Sequence, residues 1–159
     1  MAESIARLSD IMRYMIKDAD TDKVSLEKEI EYLQSFIELQ RLRIEYNSFI
    51  QFKVIGDVVG KEIAPMILIP FVENAFKHGS KKVSPPGIII KIEIEKQILK
   101  LTVSNTIKEK KGEAKNNLSG TGLDNVKRRL NLLYKNKYHL EINEDKHKNQ
   151  FEVNLTIEL

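Results

Sequence analysis

The chain of 159 residues has no cysteine and no tryptophan, and only four prolines, seven glycines and three histidines. Lack of thiols excludes disulfides and thiolate metal sites, and is compatible with a reducing cytoplasm. A surplus of charge is missing too, since 26 basic against 23 acidic residues leave a formal net charge of +3. Proteins that grip a phosphate backbone carry a much stronger basic excess, so no nucleic acid is expected as a partner. The longest apolar run, Ile63 to Val72, is interrupted by two prolines. A bilayer span needs about 20 residues, so no membrane contact is expected of this segment, and no signal peptide precedes it.

What is present reads as a folded domain. At 42% hydrophobic and 31% charged residues the chain suits one globular unit, or a compact domain carrying a helical arm. Apolar positions Ile5, Leu8, Met12, Met15 and Ile16 recur at helical spacing between Glu3 and Lys17. Ser25 predicts the N-cap of a second helix, with Glu27 and Glu29 in its first turn and Leu26, Ile30, Leu33, Ile37 and Ile44 along one stripe. Phe49 to Ile55 alternates like a strand. A helix is expected from Pro65, bent at Pro70 where a backbone bond is lost. Ile88–Glu95 and Ile98–Asn105 form a hairpin turning at Lys96 and Gln97. Polar, lysine-rich residues from Lys108 to Ser119 argue for a mobile loop that would order over a ligand, and a helix follows to about Tyr134. Tyr138–Asn143 and Gln150–Leu159 close the chain as an antiparallel pair. With two helices among these strands after Gly56, the fold class is α+β, helices layered on a largely antiparallel sheet.

The chemistry-bearing residues concentrate in PFVENAFKHG, Pro70 to Gly79. On a helix, Asn74 shares a face with Lys77 and His78, and Glu73 lies four before Lys77. An amide oxygen can ligate a hard cation while an ammonium and an imidazole meet phosphate oxygens, a set that suits a metal-bound polyphosphate. The plain structural alternative is a helix end stopped by Gly79, with basic groups complementing its dipole. A second constellation, Gly120-Thr121-Gly122, precedes a helix, where backbone N–H groups make an anion site. Asn125 stands where a dinucleotide fingerprint needs its third glycine, and no parallel βαβ unit surrounds it, so that fold is rejected. Lys127, Arg128 and Arg129 read as a solvated face of which any member could touch phosphate.

PFVENAFKHG resembles the N box of the GHKL ATP-binding superfamily, and more narrowly that of LytS-like sensor histidine kinases. SGTGLDNVKRRLNLLY, Ser119 to Tyr134, resembles the second glycine box and its helix, and the runs LSDIMRYMI and VSLEKEIEYLQSFIELQRLR are similar to the segment following the phosphoacceptor helix. The resemblance implies a two-layer GHKL sandwich over residues 47–159, preceded by a dimerisation and connector segment over 1–46. It implies ATP and Mg²⁺ as ligands, with Asn74 on the metal, Glu73 orienting or deprotonating the attacking group, and Lys77, His78, Asn105, Gly120, Thr121, Gly122, Leu123, Asn125 and Arg128 around the nucleotide. In most members an aspartate followed by a glycine box meets the adenine amine. VSNTIKEKKGE offers Asn105 instead, whose amide can accept from that amine and donate to a ring nitrogen; its bland alternative is a strand-ending turn residue.

Neither N-terminal helix contains a histidine, and His139 and His147 read as ordinary surface or strand residues. The phosphoacceptor is therefore expected on a missing upstream helix, with a response regulator next in line, a homodimer in the full-length protein, and sensory segments anchoring a bacterial inner-membrane parent whose cytoplasmic part this is. Two alternatives keep the same fold: a catalytically weak nucleotide-binding regulatory or adaptor module, and a protein serine kinase.

Overall fold

The computed structural model describes residues 9, 21–44, 49–80, 84–107 and 121–159. The helix expected before Lys17 and the loop Lys108 to Ser119 lie outside these residues. Among the described residues the elements follow in this order: β1 (Val24–Ser25), α1 (Leu26–Arg41), β2 (Ile50–Ile55), β3 (Glu62–Ile63), α2 (Ile69–His78), β4 (Ile88–Glu95), β5 (Ile98–Thr106), α3 (Thr121–Leu133), β6 (Tyr138–Asp145) and β7 (Gln150–Glu158).

The main sheet has five strands in the order β2-β4-β5-β7-β6. Only β2 pairs in parallel, with β4; the remaining ladders are antiparallel. Alternation assigns Ile88, Ile90, Ile92 and Ile94, then Leu99, Leu101 and Val103, then Phe151, Val153, Leu155 and Ile157 to one buried face. The other face carries pairs such as Thr102 with Asn154, whose side chains hydrogen-bond at 2.9 Å. A one-sided apolar sheet must be roofed, and the helices do so.

Helix α1 packs on the sandwich and contributes Leu26, Ile30, Leu33 and Ile37 to the same hydrophobic cluster as the strands. Its N-cap is the expected one, the Lys28 N–H donating to Ser25 Oγ at 3.3 Å. Phe36 meets Phe76 of α2 edge to face, with ring centroids 5.7 Å apart. The short pair β1-β3 lies beside the start of α1 and was not foreseen; Leu26 donates its N–H to the Lys61 carbonyl at 2.8 Å.

One expectation is corrected here. Helix α2 begins at Ile69, not at Pro65, and Pro70 falls in its first turn. A residue there has no intrahelical acceptor for its N–H, so the proline costs no bond and the expected bend has no cause. Pro65 to Leu68 form a turn in which Met66 takes a φ of 56°.

Candidate functional site

The two ends of α2 are built in opposite ways. At its entry the backbone of the turn is held by side chains from other elements. Glu29 of α1, fully buried, accepts from the Met66 N–H at 3.0 Å and the Leu68 N–H at 3.2 Å. Arg129 of α3 donates to the Pro65 carbonyl at 2.7 Å and the Met66 carbonyl at 3.1 Å. The Tyr134 hydroxyl accepts from the Ala64 N–H at 2.7 Å. Met66 is thus gripped at both its N–H and its C=O, which offsets the cost of left-handed backbone in a residue with a Cβ, of order 1 kcal/mol.

Sequence reasoning placed Glu29 only as a first-turn acid and Arg129 only in a basic run. The signal for Glu29 was present: it lies three after Leu26 and four before Leu33, on the apolar stripe, where an acid is buried and needs donors. Arg129 is committed to backbone carbonyls, whereas Arg128 is exposed on α3.

At the exit of α2 the chain passes straight into the sheet. Gly79 donates to the Ala75 carbonyl at 2.8 Å and bridges to Ile107, and the Ser80 N–H reaches the Thr106 carbonyl at 2.6 Å. A Cβ on Gly79 would lie 2.5 Å from the Ala75 oxygen, so only glycine permits this exit. The last turn of α2 is thereby held against the end of β5, which carries Asn105.

Asn105 lies inside β5, paired in register with Ile88 and Phe151, so its reading as a turn residue fails. Its side chain occupies the helix-covered face, in period with Leu101 and Val103, and is 3% exposed. Among the described residues neither Oδ1 nor Nδ2 has a hydrogen-bond partner. The Nδ2 of Asn74, on the last turns of α2, is likewise buried without one. Buried amides are nearly always paired, and each exception demands an explanation.

The other designated residues are distributed as follows. Glu73 and Lys77 are exposed and His78 is half-buried on α2. Desolvation pushes the Glu73 carboxyl above its ordinary range although it keeps solvent access. Burial, then the nearby Glu73 and Glu29 charges, push the Tyr32 hydroxyl up to about 12. Gly122, Leu123, Asn125 and Arg128 lie on α3, with Gly122 exposed and Leu123 buried. Nothing lies within 4 Å of where a Cβ on Gly122 would stand, and its φ is not left-handed, so neither packing nor backbone demands glycine there. Gly120 lies outside the described residues, as does the side chain of Thr121. Helices α2 and α3 are packing neighbours, and Arg129 fastens the second to the turn that starts the first. His139 and His147 lie far along the chain on exposed positions of β6 and the following turn, His139 paired with Glu141 at 2.9 Å. Among the described residues no cluster of three or more acidic, histidine or cysteine ligands could hold a metal alone. The residues present fit a nucleotide, because the buried amide of Asn105 and the buried Nδ2 of half-buried Asn74 are unused and match a ligand that has donors and acceptors on its edges.

An α+β sandwich with this strand order and these helices is the histidine kinase catalytic-domain fold. Solved structures of that fold cover most of the chain: the catalytic domain of histidine kinase ThkA over 86% of this chain and 94% of its own, at a TM-score of 0.56 and 15% identity. Full-length ShkA, determined in complex with AMPPNP, is similar over 98% of this chain and 35% of its own, at 0.56 and 14%. The histidine kinase family model matches residues 1–48. By sequence the chain is similar to LytS sensor proteins. It is 29% identical to the sensor protein LytS of Staphylococcus saprophyticus, over 90% of this chain and 26% of that protein. With LytS of Oceanobacillus iheyensis it shares 33% identity over 54% of this chain and 14% of that protein. The chain thus spans 26% and 14% of the length of these two relatives.

Proposed function

We propose that this chain is the ATP-binding catalytic part of a two-component sensor histidine kinase, acting on a histidine of an upstream helix that it does not itself contain. The observation that carries this reading is the unpartnered Asn105 amide, buried at the end of β5 beside the exit of α2, within a kinase catalytic fold. Asn74 would hold Mg²⁺ by its amide, a single protein ligand sufficing because magnesium retains waters and phosphate oxygens. Lys77, His78 and Arg128 would meet the phosphates, and Asn125 would stand near them. The backbone at Gly120, Thr121, Gly122 and Leu123, at the N-terminus of α3, would supply N–H donors to the same anion. Asn105 would meet the base. Bound ATP supplies the phosphoryl group; the protein contributes positioning and charge neutralisation. Glu73, its carboxyl already raised, would take or orient the proton of the attacking imidazole.

The division at residue 46 into a dimerisation and connector segment and a catalytic domain belongs to the same proposal, as do a homodimer in the full-length protein, a response regulator as the next acceptor, and a cytoplasmic position below a membrane-anchored sensor. The part itself is given no membrane contact and no nucleic acid. No helix among the described residues is long and apolar enough to cross a membrane.

The test is transfer of label from γ-labelled ATP to a separately supplied, histidine-bearing helical segment of a LytS-like kinase, with Mg²⁺. Wild-type protein should label it, and Asn74→Ala should lose the metal-dependent transfer while keeping most of its affinity for the nucleotide. Absence of any ATP-dependent thermal stabilisation would overturn the reading at its root.

A further inference from the structure

We infer that Asn105 makes the base pocket indifferent to the exchange of a 6-amino for a 6-oxo purine, so that the protein takes both classes of purine nucleoside triphosphate. The inference rests on the nucleotide-binding reading above and deepens it. A carboxylate can only accept, but an amide presents one acceptor and two donor hydrogens side by side. Adenine shows a donor at its 6-amino group next to an acceptor at ring nitrogen 1, and hypoxanthine or guanine shows an acceptor at the 6-oxygen next to a donor at that nitrogen. Turning the amide over by half a rotation exchanges its two ends and matches either edge with two hydrogen bonds.

Whether it can turn depends on what else holds it. An amide fixed by a protein donor or acceptor keeps one orientation and selects one base. Among the described residues, Oδ1 and Nδ2 of Asn105 both lack partners. The side chain is only 3% exposed, so water does not set the orientation by mass exposure either. Its backbone is locked on both sides, by Ile88 and Phe151, so the residue stays where it is while the amide is free to choose. A site that hydrogen-bonds one edge rigidly rejects its mismatch by about four orders of magnitude, because a buried group is left unpaired. A site that can reverse its donor and acceptor leaves nothing unpaired.

The experiment measures binding of ATP and of inosine triphosphate to the wild-type protein with Mg²⁺, by calorimetry and by nucleotide-induced shift in unfolding temperature. Inosine triphosphate isolates the 6-position because it lacks the 2-amino group of guanine. The two dissociation constants should agree within about tenfold. ATP binding with inosine triphosphate at least about a hundredfold weaker overturns the inference and leaves the nucleotide pocket standing, whereas no binding of either defeats the pocket itself. Asn105→Leu, similar in shape and without polar atoms, should weaken both nucleotides together; unchanged affinity for both in a folded variant means that the amide does not meet the base, and the inference falls.

Discussion

The entry and the exit of α2 are the two ends of one helix of ten residues and follow opposite rules. At the entry, Glu29 of α1, Arg129 of α3 and Tyr134 just beyond α3 meet backbone groups of residues 64, 65, 66 and 68. At the exit, buried amide atoms of Asn74 and Asn105 are left unmet among the described residues. Saturation marks a place whose work is to hold position, and orphaned polar atoms mark a place reserved for something that arrives. The first end should therefore cost stability when altered, and the second should return it.

The strongest break in this contrast is Glu29→Ala. It strips the acceptor from two buried N–H groups, each worth about 1–3 kcal/mol when left unsatisfied, and releases the left-handed Met66 from one of its holds. A loss of about 2–6 kcal/mol is expected in urea unfolding, a large share of a stability of about 5–15 kcal/mol. A loss under about 0.5 kcal/mol, the size of an ordinary surface change, would mean that the turn finds other partners and that the entry is not held as described. Glu29 and Phe36 both lie on α1, and Phe36 docks against Phe76, so α1 should loosen from α2 in the same variant.

Asn105→Leu tests the other end with the opposite sign. Removing unsatisfied polar atoms from a buried position and keeping the shape should raise the stability of the ligand-free protein by about 1 kcal/mol, while the stabilisation by ATP with Mg²⁺ largely disappears. A variant that is less stable than wild type would show that Asn105 is held by the protein after all, and the contrast between the two ends would go with it.

These ends also differ in how far they could be read from the sequence. The hairpin of β4 and β5 appears at the expected residues, one longer at its end, because alternation of isoleucine and charge from Ile90 to Glu95 is a local signal. The N-cap at Ser25 and the helix after Gly122 are equally local. The entry turn was misread because Pro65 alone is an adequate first-turn residue; what makes residues 65–68 a turn is the grip of Glu29 and Arg129, which are 36 or more positions away. Strands of two residues such as β1 and β3 are too short to carry a period at all. For Asn105 the family pattern named the position, but burial and the want of a partner are properties of the assembled sheet and not of VSNT as a string.

Gly122→Ala sharpens the comparison on α3. Neither its φ nor its neighbours call for glycine, so alanine should stabilise the empty protein by up to about 1 kcal/mol through helix propensity. The methyl group would stand where a phosphate has to approach the backbone, so ATP affinity should fall. Calorimetry that finds affinity intact would remove this turn from the anion site and leave the glycine without a reason.

The smallest effect concerns Glu73, at the exposed rim of the exit. Its carboxyl titrates above the ordinary carboxylate range in the folded protein because desolvation disfavours its charge. Well below the ordinary carboxylate range it is protonated in both folded and unfolded chains; as pH rises through the raised value the unfolded chain has already released its proton and the folded one must release it in a less hydrated place, so stability is lost on going up, not down. Glu73→Gln removes that titration. The difference in unfolding temperature between variant and wild type should therefore move in favour of the variant from pH 4 to pH 7, modestly, since water screens a side chain this exposed. A difference that is flat across the range would place Glu73 among ordinary surface acids and take away the physical ground for using it as a base. A difference of the reverse sign would mean that a cation, Lys77 being four residues on, holds the carboxylate in its charged form and that the exit is more nearly satisfied than Asn74 and Asn105 suggest.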